Sequence, residues 1–211
     1  MKRQVEKEHY DFSKYMSKSR WCSMWHQLDE VLKLEPKTTL EIGPGPGLFK
    51  AVAAGFGLKV QTLDIAEDLK PDIVASATDM PLEDKSYDVV CSFQMLEHIP
   101  FKMSLDALKE IARVSGKHIV ISLPDAEIQW SYSLHVPKLG TKTIQMKKPL
   151  VKAKEHVFDG EHHWEINKKG YELTTVQAEI EKAVSGFKLE KTYRVPENPY
   201  HRFFVFTRYG V

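Results

Sequence analysis

The stretch TTLEIGPGPGLFK at residues 38–50 places three glycines and two prolines between an apolar run and a predicted helix. Glycine-rich loops that follow a strand usually hold a nucleotide, and a dinucleotide loop has the spacing G-x-G-x-x-G/A. Gly43 and Gly45 fit that spacing, but its third position falls on Leu48. The two prolines have no N–H to donate to a phosphate. The loop therefore predicts the close approach of a ligand that has no phosphate group.

Acidic residues flank this loop. Glu41 comes directly before it, where its charge repels a phosphate, and Asp64 ends the next predicted strand. A ligand with positive charge and no phosphate fits better, and S-adenosylmethionine carries an ammonium, a sulfonium, a ribose and an adenine. Asp64 is then expected to accept hydrogen bonds from the ribose hydroxyls. Asp79 is expected to accept one from the adenine amine, with Met80 stacked on the ring.

Apolar strand-like runs alternate with helical patterns between residues 38 and 124. The runs at 87–93 (YDVVCSF) and 117–124 (KHIVISLP) are almost entirely apolar, as in a parallel sheet covered on both faces. The last two predicted strands, 188–195 and 201–209, are joined by a short turn and so are antiparallel. The predicted fold class is α/β, with a doubly wound, mostly parallel Rossmann-like sheet that ends in an antiparallel strand pair.

The length of 211 residues predicts a single domain, 1–211. Within it, residues 1–36 are interpreted as an N-terminal helical cap. Residues 125–173 are interpreted as an insertion or lid over the acceptor pocket, because the strand and helix pattern lapses there. The net charge of +1 gives no general attraction to nucleic acid. Two cysteines, no signal-peptide pattern and no long apolar run favour a cytoplasmic protein without a membrane span.

Several motifs, in the correct order, resemble those of class I S-adenosylmethionine-dependent methyltransferases. They are LEIGPGPG at 40–47, VQTLDI at 60–65, ATDMPLEDKSYDVVCSFQMLEHI at 77–99 and ISLPD at 121–125. The closest resemblance is to the broad group of small methyltransferases with a LEHI-like segment after the fourth strand. It implies the class I methyltransferase fold, S-adenosylmethionine as cofactor with S-adenosylhomocysteine as product, and transfer of a methyl group to a small-molecule acceptor.

The resemblance also implies which residues hold the cofactor. They are Glu41, Gly43, Gly45, Gly47, Asp64, Ile65, Asp79, Met80, Phe93 and Gln94. In small methyltransferases an N-terminal segment often folds over the cofactor, and Tyr15 is the residue of this segment that is predicted to reach it. A partly disordered tail is the equally favoured alternative for that segment.

Methyl transfer needs a base only if the acceptor must lose a proton. The candidate bases are His98, in QMLEHIP, and His162 and His163, in DGEHHWEI. A structural role is the alternative for His98. His162, His163 and Trp164 are also predicted to contact the acceptor from the lid. The histidines and acids at 156–165 have no diagnostic zinc spacing, so no metal is predicted.

Three other functions stay open: a non-catalytic S-adenosylmethionine-binding sensor or partner protein, an NAD-dependent oxidoreductase, and an RNA methyltransferase. The mismatch at Leu48 and the two prolines count against NAD. The segment SFQM at 92–95 stands where amino-nucleobase methyltransferases have their Asn/Asp-Pro-Pro-Tyr/Phe motif. Six lysines at 138–154 form a solvated flank or attract an anionic acceptor. These residues leave the acceptor, the methylated atom and the oligomeric state open.

Overall fold

The computed structural model of the protein describes residues 11–211, which contain both helices and strands. The elements are α1 Phe12–Tyr15, α2 Lys18–Leu32, β1 Thr39–Ile42, α3 Leu48–Ala54, β2 Val60–Asp64, β3 Ile73–Val74, β4 Tyr87–Phe93, α4 Phe101–Val114, β5 Ser115–Pro124, β6 Gln129–Val136, β7 Gly140–Lys147, α5 Leu173–Ala183, β8 Phe187–Val195 and β9 Asn198–Arg208. Two short 3₁₀ turns, Glu67–Leu69 and Leu96–His98, follow β2 and β4.

Seven of these strands form one sheet, in the order β3-β2-β1-β4-β5-β9-β8. The first five strands are parallel to one another, and β9 is antiparallel to both β5 and β8. This confirms the predicted α/β class with an antiparallel terminal pair. Because the strand order reverses between β1 and β4, the carboxyl ends of these strands lie at a switch point, where open α/β sheets bind their ligands.

Helices cover both faces of the sheet, as the apolar strands require. Val89, Val90 and Cys91 on β4 are all fully buried, so neither face of this strand reaches water. On one face α4 packs its buried stripe, which includes Leu108 and Ile111, into the larger core cluster. On the other face the buried stripe of α2 joins a second cluster. Because both faces are covered, ligands can reach this sheet only at the ends of its strands.

Residues 125–173 contain a β-hairpin that the sequence interpretation missed. Strands β6 and β7 pair with each other in antiparallel register and with no strand of the seven-stranded sheet. On β6, Trp130, Tyr132 and Leu134 alternate with polar residues and are exposed. An alternation with a period of two is typical of a strand, although here it buries no core face. It was the signal in the sequence from which this hairpin could have been predicted. The six lysines at 138–154 lie in this hairpin and the segment after it.

The predicted N-terminal cap, 1–36, is helical from Phe12 to Tyr15 and from Lys18 to Leu32, and its first ten residues lie outside those described. Helix α2 contacts β8, β9 and α3. Ser17 is its N-cap, and the Ser17 side chain accepts a hydrogen bond from the Arg20 N–H. Across residues 11–211, no helix has the length and apolar character needed to cross a membrane.

Asp125, the residue after β5, ties the insertion to the antiparallel strands. Its buried carboxylate pairs with Arg194 on β8 and accepts a hydrogen bond of 2.7 Å from Arg202 Nε on β9. The Asn167 side-chain amide of the insertion donates a third bond, of 2.8 Å. Burial lowers the pKa of Arg194 despite the adjacent Asp125. Three separate segments thus meet at one buried charge.

Candidate active site

A cavity of about 210 Å³ opens at the carboxyl ends of β1, β2 and β4. Most of the residues that the sequence predicted for the cofactor and the acceptor line it. They are Tyr15, Glu41, Gly43, Gly45, Asp64, Ile65, Phe93, Gln94, His98 and His162. They come from residue positions far apart in the chain, and the sheet order brings them together.

The glycine loop enters the cavity in a left-handed backbone conformation. Gly43 has φ +68°, and its N–H donates to Leu63 O at 2.9 Å, which fixes the loop to β2. Gly45 and Gly47 also have positive φ. A Cβ on Gly43 would overlap Cγ of Met95, which lies in the turn after β4. Position 43 is therefore restricted to glycine both by its backbone and by the space around it.

Replacing Gly43 by Ala is expected to lower the free energy of unfolding by about 2–4 kcal/mol, from left-handed strain and from overpacking against Met95. The matched control is Gly47→Ala, because Gly47 has φ +73° but no atom within 4 Å of an added Cβ. Its loss should be about 1 kcal/mol, from the backbone alone. Urea denaturation of both variants measures the difference. Equal losses would show that the Met95 contact costs nothing.

Glu41 carries a buried carboxylate at the cavity wall. It is 4% exposed, and no described residue gives its Oε2 a hydrogen bond. Burial raises the pKa of Glu41 to about 8; Lys50 opposes this shift and Asp64 adds to it. A buried carboxylate without a partner is costly, and an ammonium group in the cavity would relieve that cost. The site thus fits the cationic ligand that the sequence predicted.

Asp64 and Gln94 are each held by local hydrogen bonds. The Asp64 Oδ1 accepts from the Ala66 N–H at 2.8 Å, which orients the carboxylate at the end of β2. Gln94 follows β4 with φ +51°, an uncommon value for a non-glycine residue. Its backbone N–H donates to Ser122 O at 3.0 Å, and its side-chain amide donates to Ser122 Oγ at 3.2 Å. Such strained positions often occur where ligands bind.

Five predicted residues do not line the cavity: Gly47, Asp79, Met80, His163 and Trp164. Gly47 is the N-cap residue of α3. The Asp79 N–H donates to Ser76 O, which turns the chain before Met80 enters the core. Ala77 lines the cavity instead.

The two predicted lid residues of that set, His163 and Trp164, make their contacts outside the cavity. Trp164 is 1% exposed, and its Nε1–H lies 3.3 Å from Leu96 O and 3.1 Å from Ser104 Oγ. Its apolar rings are therefore in the core, with the indole N–H satisfied, and they do not face an acceptor. His163 stacks on Phe158 with ring centroids 4.6 Å apart. The prediction that both contact the acceptor does not agree with these positions.

Other cavity residues were missed by the sequence analysis. They include Arg20, Met24 and Gln27 of α2, Met95 and Glu97 after β4, and Tyr200 of β9. Met24 follows a helical spacing with Leu28 and Val31, which is typical of a core position, and the polar residues beside it carry no motif of a binding site. No local sequence pattern marked Tyr200 as a cavity residue, because it reaches this edge only through the position of β9 beside β5 in the sheet.

An acid–histidine cluster forms the far wall of the cavity: Glu97, His98 and His162 each offer a ligand atom, and these atoms lie within 4.8 Å of one another. Burial raises the pKa of Glu97 to about 7, while His162 opposes this shift. Glu165 contacts this cluster through a hydrogen bond with His162. Although burial opposes it, hydrogen bonds from His162 and Tyr200 lower the pKa of Glu165 to about 2.

The chain is similar to known methyltransferase domains and structures. A family model described as a methyltransferase domain matches residues 40–120. No curated protein has significant sequence similarity to the chain. A solved protein from Pyrococcus horikoshii OT3 is 15% identical with a TM-score of 0.62, and the match covers 97% of this chain and 99% of that one.

Two further solved structures are methyltransferases with bound ligands. The magnesium protoporphyrin IX methyltransferase of Synechocystis PCC 6803, with bound SAH, is 15% identical at a TM-score of 0.57, covering 90% of this chain and 84% of that one. The 1,6-didemethyltoxoflavin-N1-methyltransferase of Burkholderia thailandensis, with bound 1,6-didemethyltoxoflavin and S-adenosylhomocysteine, is 14% identical at a TM-score of 0.57, covering 95% and 82%. At these identities the likeness concerns the fold. With the observed strand order, the chain has the class I methyltransferase fold, and its residues 40–120 match the model of a methyltransferase domain.

Proposed function

We propose that the protein transfers a methyl group from S-adenosylmethionine to a small-molecule acceptor and releases S-adenosylhomocysteine. The observation that carries this proposal is that two carboxylates, those of Glu41 and Asp64, line one cavity. The buried Glu41 suits the ammonium of the cofactor, and Asp64 suits its ribose hydroxyls. The glycine loop that begins at Gly43 lines the same cavity and lets the ligand approach the backbone closely.

The acceptor is proposed to bind on the side of the cavity where Gln94, His98, His162 and Tyr200 lie. Methyl transfer is an in-line displacement, so alignment and the exclusion of water supply much of the rate. Two of the structural neighbours act on small molecules, as their names state, and this favours the same acceptor class here. None of the described lysines at 138–154 lines the cavity, so these lysines do not favour an anionic acceptor there.

If the acceptor must lose a proton, the candidate bases that remain at the cavity are His98 and His162. His98 Nδ1 lies 3.0 Å from Glu161 O and therefore carries the proton, which leaves the lone pair on Nε2. His162 Nδ1 faces Glu165 Oε1 at 2.9 Å in the same way. His163 is not part of this proposal, because it does not line the cavity.

Incubation of the purified protein with a cell metabolite extract and isotopically labelled S-adenosylmethionine tests the function directly. We expect one labelled small molecule, identified by mass, together with S-adenosylhomocysteine. Tight cofactor binding without a labelled product would favour a non-catalytic sensor instead. Tight binding of NAD, with none of S-adenosylmethionine, would overturn the proposal.

The Asp64→Ala variant is expected to bind S-adenosylhomocysteine at least about tenfold more weakly, because the proposed ribose contacts are lost. Isothermal titration calorimetry measures this affinity. The control is Asp106→Ala, at a partly exposed position on α4 that does not line the cavity. Unchanged affinity in a folded Asp64→Ala protein would exclude Asp64 as a ribose ligand.

A further inference from the structure

We propose that Glu97, His98 and His162 bind one divalent transition-metal ion at the wall of the cavity. Their three ligand atoms already lie within 4.8 Å of one another. Ligands bound at about 2.0–2.2 Å to one ion lie roughly 3–4 Å apart, so small side-chain movements would complete the site. Two imidazoles and one carboxylate are the protein ligands of metal sites that keep coordination positions open.

Glu97 gives the first independent support. Its side chain is fully buried, and neither carboxylate oxygen has a hydrogen-bond partner in another described residue. A buried carboxylate is costly unless a cation or hydrogen-bond donors compensate it. The His163 N–H donates to the backbone oxygen of Glu97 at 2.8 Å, which fixes the main chain and leaves the carboxylate available. A metal ion would compensate this group.

The hydrogen bonds of the two histidines give the second support. His162 Nδ1 lies 2.9 Å from Glu165 Oε1, and that oxygen also accepts from the Tyr200 hydroxyl at 2.6 Å. His98 Nδ1 lies 3.0 Å from Glu161 O. In each ring Nδ1–H thus donates to an oxygen, so the neutral imidazole carries its lone pair on Nε2. Metal-binding histidines are typically oriented by such a carboxylate or carbonyl on the opposite nitrogen.

The donor set also selects the class of ion. Mg²⁺ and Ca²⁺ are bound mainly by oxygen ligands, whereas imidazole suits Zn²⁺, Fe²⁺ and related ions. We therefore expect Zn²⁺ to bind this site more tightly than Mg²⁺. Since the same residues line the cavity, the open coordination positions face the space proposed for the acceptor. A role for the ion in orienting an acceptor oxygen or nitrogen rests on the proposed function, whereas the metal site itself does not.

The test is a calorimetric titration of chelator-treated, dialysed protein with Zn²⁺ and, separately, with Mg²⁺. We expect one Zn²⁺ per chain, and Zn²⁺ affinity at least tenfold lower in Glu97→Gln and in His162→Gln. His163→Gln is the matched control, because His163 is adjacent in sequence but stacks on Phe158 outside the cluster. S-adenosylhomocysteine affinity, measured in each variant, shows that the fold and the cofactor site persist.

A second measurement uses the unmodified protein and so does not depend on how the variants fold. In NMR spectra, Zn²⁺ should shift the imidazole resonances of His98 and His162 and leave those of His163 in place. Absence of Zn²⁺ binding, tighter binding of Mg²⁺, or equal Zn²⁺ affinity in all three variants would overturn the site. Zn²⁺ binding without S-adenosylhomocysteine binding would support the metal site and contradict the proposed function.

Discussion

Replacing Glu41 by Gln is expected to raise the free energy of unfolding of the cofactor-free protein at pH 8 by several kcal/mol. Folding raises the pKa of Glu41 from 4.5 to about 8, through burial. This difference of about 3.5 units corresponds to at most about 5 kcal/mol. Glutamine has nearly the same shape and no charge, so it avoids the cost of burying a carboxylate.

The pH dependence has a definite direction. Between pH 4.5 and about 8 the folded protein retains a proton on Glu41 that the unfolded chain has lost. The contribution of this group to stability is therefore highest below pH 4.5 and declines as the pH rises to about 8. The Glu41→Gln variant should lack that part of the decline. Urea denaturation at several pH values measures it, with the exposed Glu83→Gln as the control.

The same variant should bind S-adenosylhomocysteine at least about tenfold more weakly, because the proposed partner of the ligand ammonium has lost its charge. In the wild-type protein, affinity should improve from pH 6 towards pH 8, as the carboxylate forms. Lys50 on α3 and Asp64 on β2 are the charged groups whose fields act on Glu41. A variant that is neither more stable nor weaker in binding would contradict the proposed role of Glu41.

The Asp125→Ala variant is expected to lose about 3–5 kcal/mol of stability, because it leaves Arg194 and Arg202 near each other without their shared carboxylate. The matched control is Asp84→Ala. Asp84 also pairs with an arginine, Arg113 at 2.9 Å, but its side chain is 72% exposed. Removal of that surface pair should cost less than about 1 kcal/mol.

Thermal and urea denaturation of both variants provide the comparison. The expected order is a large loss for Asp125→Ala and a small loss for Asp84→Ala. Similar losses in the two variants would mean that the Asp125 network adds no more than a surface ion pair. Because Asn167 also donates to Asp125, the insertion should become more susceptible to proteolysis in the first variant only.

Much of the fold could be predicted from the sequence because its signals are local. The apolar run of β4, the helical spacing of α4 and the motif order between residues 40 and 125 each occur within a few residues. That Glu41, Gly43 and Asp64 lie together at one cavity could be predicted for the same reason. Glu41, Gly43 and Asp64 are strand-end residues, and parallel strands place their carboxyl ends together.

The acceptor side could not be predicted in this way, because it depends on contacts between distant segments. Tyr200 reaches the cavity through the position of β9, and Arg20 through the packing of α2. Trp164, by contrast, was predicted at the acceptor but does not line the cavity. Its place in the predicted lid favoured contact with the acceptor, yet Leu96 O and Ser104 Oγ satisfy its N–H in the core. The hairpin was missed because its alternating strands bury no face of the core.

The interior position of β9 has a consequence for the order of assembly during translation. β9 follows the other strands of the main sheet in sequence, yet it lies between β5 and β8. While a ribosome synthesises the chain, β5 is thus an unpaired edge strand, the kind that promotes aggregation. Glu41 and Asp64 emerge long before Tyr200. We therefore expect the nascent chain to form the cofactor half of the cavity well before it can close the acceptor half.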